Sequence, residues 1–460
     1  MTLLLLMRTY SREDNTLGQR NRISTQQGEC ILPAVFFKAA ACFFSKTGLY
    51  WSKKTTWKAD DKMKFSQKTK NAIKIGTLCS VSYFAVYIAR NILGAVTPQM
   101  VEAGFTEAYI GRMSSLFFMA YAVGQLINGA IGDKIKAKYM ICTGLMGASI
   151  MNFLFTQFAA TPAAATAVYG LTGYFLSMIY GPMTKVVSEN TEPIHATRCS
   201  LGYTFASFFG SPGAGLLAAT LVWQSVFAVS SGVLAVMAVT GFLFFTAFEH
   251  QGIVKYGQYK AEKKGNVKVL LKHRIVKFAI ISILTGVVRT SVVFWLPTYI
   301  NQYLDFSAQS AASIYTVATL VISTTSFISV FTYEKLGRDM DKTILLMFSN
   351  AAVFFLLTYL VKLPAVNIVL IVVAIMSSNG AATMLWSRYC PSLRDTGMVS
   401  SATGFLDFLS YMSAAAANVI FADAATTIGW GWLILVWFGL MIVGIVVALP
   451  VKKRIAANKM

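Results

Sequence analysis

The chain reads as an all-α integral membrane protein, with twelve transmembrane helices in two pseudo-symmetric six-helix halves. Three observations predict that class. Of its 460 residues, 56% are hydrophobic and only 13% charged, against about 25% charged in soluble domains. Apolar stretches of about 20 residues, the length a helix needs to cross a hydrocarbon core, recur along the chain. Basic residues collect in every second segment between those stretches, the asymmetry that orients membrane helices.

The spans fall at 72–98, 109–132, 139–159, 163–186, 199–222, 225–248, 275–300, 309–333, 343–361, 365–388, 397–421 and 429–450. Span one follows a short basic lead, Met63-Lys-Phe-Ser-Gln-Lys-Thr-Lys, and reaches Pro98. Span two closes on Gly129-Ala-Ile-Gly-Asp133-Lys134. Ala-Thr-Pro-Ala-Ala-Ala at 160–165 turns the chain from span three into span four. Span five carries Gly210-Ser-Pro212-Gly-Ala-Gly215, small residues beside a kink, which let neighbouring helices approach. Span six leads into a basic segment, 249–274, that divides the halves. Span eight closes on Tyr333-Glu334-Lys335-Leu-Gly337-Arg338. The predicted organisation is a basic tail (1–70), a first half (71–248), a linker (249–274), a second half (275–451) and a short tail (452–460).

The net charge of +21 is a topology signal. Lys134, Lys136 and Lys138 follow span two, Lys185 and Arg198 flank the loop after span four, and Lys335, Arg338 and Lys342 follow span eight. The opposite loops are nearly bare, with Lys362 the exception. The pattern places both termini and the 249–274 loop in the cytoplasm of a cell whose plasma (bacterial inner) membrane holds the protein. It argues against nucleic acid as a partner and for the bilayer, with some attraction to anionic lipid. In the tail, Ile31–Phe44 is apolar around Lys38 and suits an interfacial helix; the alternatives are a disordered tail or a true start at Met63. Six cysteines show no pairing or metal spacing and three histidines fall in loops, so no metal, cofactor or enzymatic constellation is expected.

Two arginines interrupt the apolar pattern. Arg90 lies in Val81-Ser-Tyr-Phe-Ala-Val-Tyr-Ile-Ala-Arg90, and Arg289 in Leu284-Thr-Gly-Val-Val-Arg289. A charge at the bilayer centre costs about 2.5–3.5 kcal/mol on insertion scales, so each needs an anion to offset it. The two are 199 residues apart, and each is followed eight residues later by a proline, Pro98 and Pro297. Asp133 and Glu334 repeat at nearly the same offset, 201 residues. Two features at one offset argue for duplicated halves.

These residues resemble the major facilitator superfamily, which carries a Gly-x-x-x-Asp-Arg-x-Gly-Arg-Arg motif after its second helix and a weaker copy after its eighth. Here Gly129, Asp133 and Lys134 keep part of the first copy, and Glu334, Lys335 and Arg338 part of the second. The resemblance implies a gating role for them; a plain solvated loop acid is the alternative for Asp133. Within that superfamily, Tyr83-Phe-Ala-Val-Tyr87-Ile-Ala-Arg90-Asn and Arg289-Thr-Ser-Val-Val-Phe-Trp295-Leu-Pro297-Thr-Tyr299 resemble helices one and seven of the organophosphate:phosphate antiporters, the glycerol-phosphate and hexose-phosphate carriers. The resemblance covers about 72–450 and is loose outside these two helices.

It implies that Arg90 and Arg289 hold a substrate phosphate, a role suited to the bidentate, permanently charged guanidinium. It also implies a monomeric carrier that exchanges a small organic anion for inorganic phosphate by alternating access. Tyr83, Tyr87 and Arg90 share one helix face, and Tyr121, Tyr180, Tyr203 and Tyr411 fall where such carriers place pocket aromatics. The departures are Asn91, Gln125, Ser207 and Asp407, where the family has a lysine, a lysine, a histidine and a small residue. Asp407 is read as a proton carrier or as an ion-pair partner for one arginine. The readings left open are a proton-coupled symporter for another organic anion and a transporter-like sugar-phosphate sensor.

Overall fold

The computed structural model describes residues 66–132, 135–256, 271, 273–393 and 399–449. The tail readings, including Ile31–Phe44 and Met63, lie outside these residues. So do Asp133, Lys134, most of the linker and the last residues.

In lipid every backbone polar group must be satisfied internally, and the described residues are helical almost throughout. They form twelve rods. The first half comprises α1 (Gln67–Glu102), α2 (Glu107–Gly132), α3 (Ala137–Phe158), α4 (Pro162–Asn190), α5 (Pro193–Thr220) and α6 (Trp223–His250). The second begins with α7, built from Ile275–Gly286, a π-helical stretch Val287–Val292, and Val293–Gln302. Next comes α8, Ala308–Ser323 and Thr325–Lys335 with a break at Thr324. Then follow α9 (Met340–Leu360), α10 (Pro364–Met384, a π-helical stretch Leu385–Tyr389, and Cys390–Ser392), α11 (Val399–Thr427) and α12 (Gly429–Ala448). Ten of the rods are long and apolar enough to cross a membrane, α4 and α5 being the other two.

Side-chain chemistry sets the helix starts. Ser66 caps α1 by accepting from the Thr69 N–H at 3.2 Å, Ser307 caps α8 through Ser310, and Asp339 caps α9 through Lys342 at 3.0 Å. α1 starts five residues before the apolar span because this cap carries the helix through the polar lead Gln67–Lys70. Gly337 and Arg338, both at positive φ, close α8; the Arg338 N–H returns to the Tyr333 carbonyl at 2.9 Å.

The halves meet along three helix pairs. α2 and α11 run antiparallel: a Cβ on Gly111 would lie 2.8 Å from the Asn418 carbonyl oxygen, Asn418 donates to Ser114 at 2.7 Å, and the Tyr121 and Tyr411 rings lie 5.0 Å apart. On α5 and α8, Gly215 faces Tyr315 and Thr316, and Ser323 donates to the Phe208 carbonyl at 2.8 Å. On α1 and α7, Gly94 faces the backbone and ring of Phe294. At the ends of these rods away from the basic loops, Gln302 donates to Glu107 at 2.5 Å and accepts from the Trp430 indole at 3.1 Å. On the basic face, the ion pairs Lys68–Glu192, Lys136–Glu249 and Arg274–Asp341 each stay within one half. Among the described residues, the polar contacts that join the halves at a rod end thus lie on the face opposite the basic loops.

Candidate binding site between the halves

Arg90 sits near the middle of α1, its residue only 8% exposed. Its guanidinium is ringed by aromatic faces: Tyr411 at 4.6 Å, Tyr121 at 5.2 Å, Tyr87 at 5.3 Å and Phe118 at 5.5 Å. Cation–π contacts contribute about 0.5–2 kcal/mol each, more when desolvated. Nη1 also donates to the Tyr411 hydroxyl at 2.8 Å, a bond to a charged donor worth about 1.5–3 kcal/mol. The rings and the phenol oxygen together help to offset the charge. Tyr87 and Arg90 lie three apart on α1, Phe118 and Tyr121 three apart on α2, and Tyr411 comes from the other half on α11, so helical spacing delivers all five to one point.

Arg289 is held differently. It lies inside the π-helical stretch of α7, and such insertions often mark functional positions because they re-aim a side chain. Its side chain is 32% exposed, and Nη2 stands 3.9 Å from the Asp407 carboxylate, itself 24% exposed. That gap is an ion pair but too long for a hydrogen bond, and Arg289 Nη2 has no hydrogen-bond partner in this arrangement. The guanidinium lies 5.9 Å from the rings of both Trp386 and Tyr411. Gln125 lies half-buried on α2. Two guanidiniums, one from each half, therefore share Tyr411, with a single carboxylate beside them.

The remaining tyrosines form a second group. Tyr83 packs edge-on to Tyr87 at 4.9 Å and to Tyr203 at 6.0 Å, and lies 5.5 Å from Tyr180. Tyr83 and Tyr203 are buried while Tyr180 is 41% exposed. So Tyr87, Tyr121 and Tyr411 touch Arg90, whereas Tyr83, Tyr180 and Tyr203 sit one layer away. The Asn91 amide donates to the Tyr87 carbonyl at 2.6 Å, inside its own helix. Ser207 lies within α5, but its side chain is outside the described residues, as is that region of the first gating motif. Glu334, Lys335 and Arg338 are exposed at the end of α8, with Lys335 4.5 Å from the Phe331 ring. They stand on the basic face, away from the arginines.

Sequence reasoning missed Phe118 and Trp386. A phenylalanine among many in an apolar span carries no signal of its own. Trp386 sits in the π-helical stretch of α10, where the 3.6-residue register that would aim it at Arg289 does not apply. Among the described residues, no group of three or more His, Cys, Asp or Glu could hold a metal ion.

The Major Facilitator Superfamily model matches residues 79–418 of the chain. Among curated proteins, the chain is similar to the glycerol-3-phosphate transporter of Bacillus subtilis, with 22% identity over 258 residues, 50% of this chain and 58% of that protein. It is also similar to the membrane sensor protein UhpC of Salmonella typhimurium, with 27% identity over 96 residues, 21% of this chain and 22% of that one. The matched segments thus span 58% or less of these relatives. Among solved structures, a mutant of the nucleoside transporter NupG superposes with a TM-score of 0.66 at 15% identity, covering 82% of this chain and 98% of that one. A bacterial homologue of the lysosomal transporter Spinster, in an inward-facing and occupied conformation, gives 0.64 at 12%, covering 84% and 97%.

Proposed function

The chain belongs to the major facilitator superfamily, and from that premise we propose that it is a secondary active transporter of an anionic organophosphate, exchanging it for inorganic phosphate. The observation that carries this reading is the pair of guanidiniums, one from each half, meeting on Tyr411. Arg289 supplies a side chain 32% exposed whose Nη2 is buried without a hydrogen-bond partner, and Arg90 a desolvated charge behind it. A phosphate can accept from the first and neutralise the second. The similarity to the glycerol-3-phosphate transporter supports the same ligand class.

In this account, substrate draws the halves together at the arginines, and they rock about it to expose it to each side in turn. With the basic loops in the cytoplasm, the closed seam at Gln302, Glu107 and Trp430 shuts the outer face, leaving the site to be reached from the cytoplasm. Closing the halves over two guanidiniums with only one carboxylate beside them is costly, so the loaded carrier moves and the empty one does not; exchange follows. Purified protein in vesicles loaded with phosphate should accumulate a phosphate ester such as glycerol 3-phosphate. Equal uptake into phosphate-free vesicles would exclude exchange, and binding without any flux would favour a sensor.

The geometry at Asp407 favours a second reading, proton coupling. An anion arriving on Arg289 meets a carboxylate about one ion-pair distance away, a like-charge contact that protonation of Asp407 relieves. Uptake abolished by an uncoupler and by Asp407→Asn, with no response to internal phosphate, would select this reading over exchange.

A further inference from the structure

Away from the arginines, α3 and α6 part to leave a groove of about 530 Å³ on the outward surface of the first half. α3 contributes Tyr139, Cys142, Met146 and Ile150, which fall on one helical stripe, and α6 contributes Phe242 and Leu243. Ile150 is 48% exposed and Leu243 61%, so the groove opens toward lipid. Level with Ile150, Ser149 donates to the Ser231 carbonyl at 2.8 Å, pinning α3 to α6 behind the groove. Its other end opens at the basic face. There Lys136 and Lys138 converge on one carboxylate, Glu249, at 2.7 and 2.5 Å, which leaves one positive charge unmatched in that trio. Lys138 Nζ stands 5.2 Å from the Tyr139 ring and 5.7 Å from the Phe242 ring, and both rings line the groove.

Length and charge together identify the occupant. Tyr139 to Ile150 is eleven residues, roughly 16 Å of helix at about 1.5 Å per residue. That is about half of a hydrocarbon core roughly 30 Å thick, the depth of one leaflet. We infer that the groove holds an acyl chain of one anionic phospholipid from the leaflet on the basic face, its phosphate seated against the half-exposed Lys136. The apolar lining takes the chain to the depth of Ile150, and the unmatched positive charge selects an anionic headgroup over a zwitterionic one.

Native mass spectrometry of the full-length, delipidated protein tests this with phosphatidylglycerol and phosphatidylcholine of identical chains. One phosphatidylglycerol should be retained per chain at concentrations where phosphatidylcholine is lost. Lys136→Gln, at a half-exposed position that folding tolerates, should weaken phosphatidylglycerol roughly fivefold and leave phosphatidylcholine unchanged. Ile150→Trp, which fills the inner end, should weaken both lipids. Equal retention of the two lipids by the wild type, or no response to either substitution, would overturn the assignment and leave ordinary bulk lipid in the groove.

Discussion

At the residue scale, the two arginines are not equivalent. Arg90 is enclosed by rings and a phenol, whereas Arg289 stands half open beside an acid. Tyr411 links them, so it positions the anion site as a whole. Tyr411→Phe keeps the ring but removes the acceptor for Arg90. It should weaken binding of glycerol 3-phosphate by roughly tenfold, measured by isothermal titration, with little loss of folded protein. Asp407→Asn should act in the opposite direction. The carboxylate beside Arg289 repels an incoming anion. Solvent reaches a quarter to a third of both side chains and reduces this, so several-fold tighter binding is the expected result. Weaker binding would make Asp407 a contact for the ligand itself.

The arginines were legible because a charge in an apolar span has few explanations. Their partners were legible where helical spacing tied them to a charge, as with Tyr87, or through the family resemblance, as with Tyr121, Tyr411 and Asp407. Tyr83 shares the same face yet packs one layer away against Tyr180 and Tyr203, because α4 and α5 crowd that side. Spacing within one helix cannot report which neighbour arrives across it. Phe118 escaped for the same reason.

At the element scale, ten of the twelve expected spans are helices long and apolar enough to cross a membrane, readable from hydropathy because each must satisfy its own backbone in lipid. The π-helical stretches of α7 and α10 and the break at Thr324 were not readable, since nothing in composition marks a one-residue change of register. Both π-helical stretches sit in the second half and aim Arg289 and Trp386 at each other. The glycines along the seam do specific work. Gly111 and Gly215 let α2 meet α11 and α5 meet α8 with almost no gap. Gly111→Leu or Gly215→Leu should wedge that face apart. A cysteine placed at Ser114 should then become reactive to a membrane-impermeant maleimide added from that side, while remaining shielded in the parent. Unchanged shielding would show that this seam does not close the pathway. The Asp339 cap has a pH signature. The Lys342 backbone N–H holds its carboxyl below the usual range. Its contribution is therefore fully present above about pH 3.9 and is lost as pH falls through the depressed value. Asp339→Ala should cost about 1 kcal/mol of stability at neutral pH and almost nothing in strong acid.

At the scale of the whole molecule, the proposed site draws one arginine from each side of the linker. The 199-residue offset between Arg90 and Arg289 places each at the middle of the first helix of its half, and the halves pack so that both reach Tyr411. The gating motif was legible as a repeat but not as a contact. Its first copy lies outside the described residues, and its second, Glu334-Lys335-Leu-Gly337-Arg338, serves locally as the turn that ends α8. Closure at the face opposite the basic loops, with ion pairs on the basic face kept within each half, describes one of the two states that an alternating carrier visits.

The central claim is that Arg90 and Arg289 together grip a phosphate. Isothermal titration of the purified protein with glycerol 3-phosphate, glucose 6-phosphate and inorganic phosphate, beside glycerol and glucose, addresses it directly. The phosphate ligands should bind and the parent alcohols should not. Arg90→Lys and Arg289→Lys keep the charge but lose the planar fork, and each should weaken the phosphate ligands by at least about tenfold. Phosphate-ester binding left unchanged by both substitutions would contradict it.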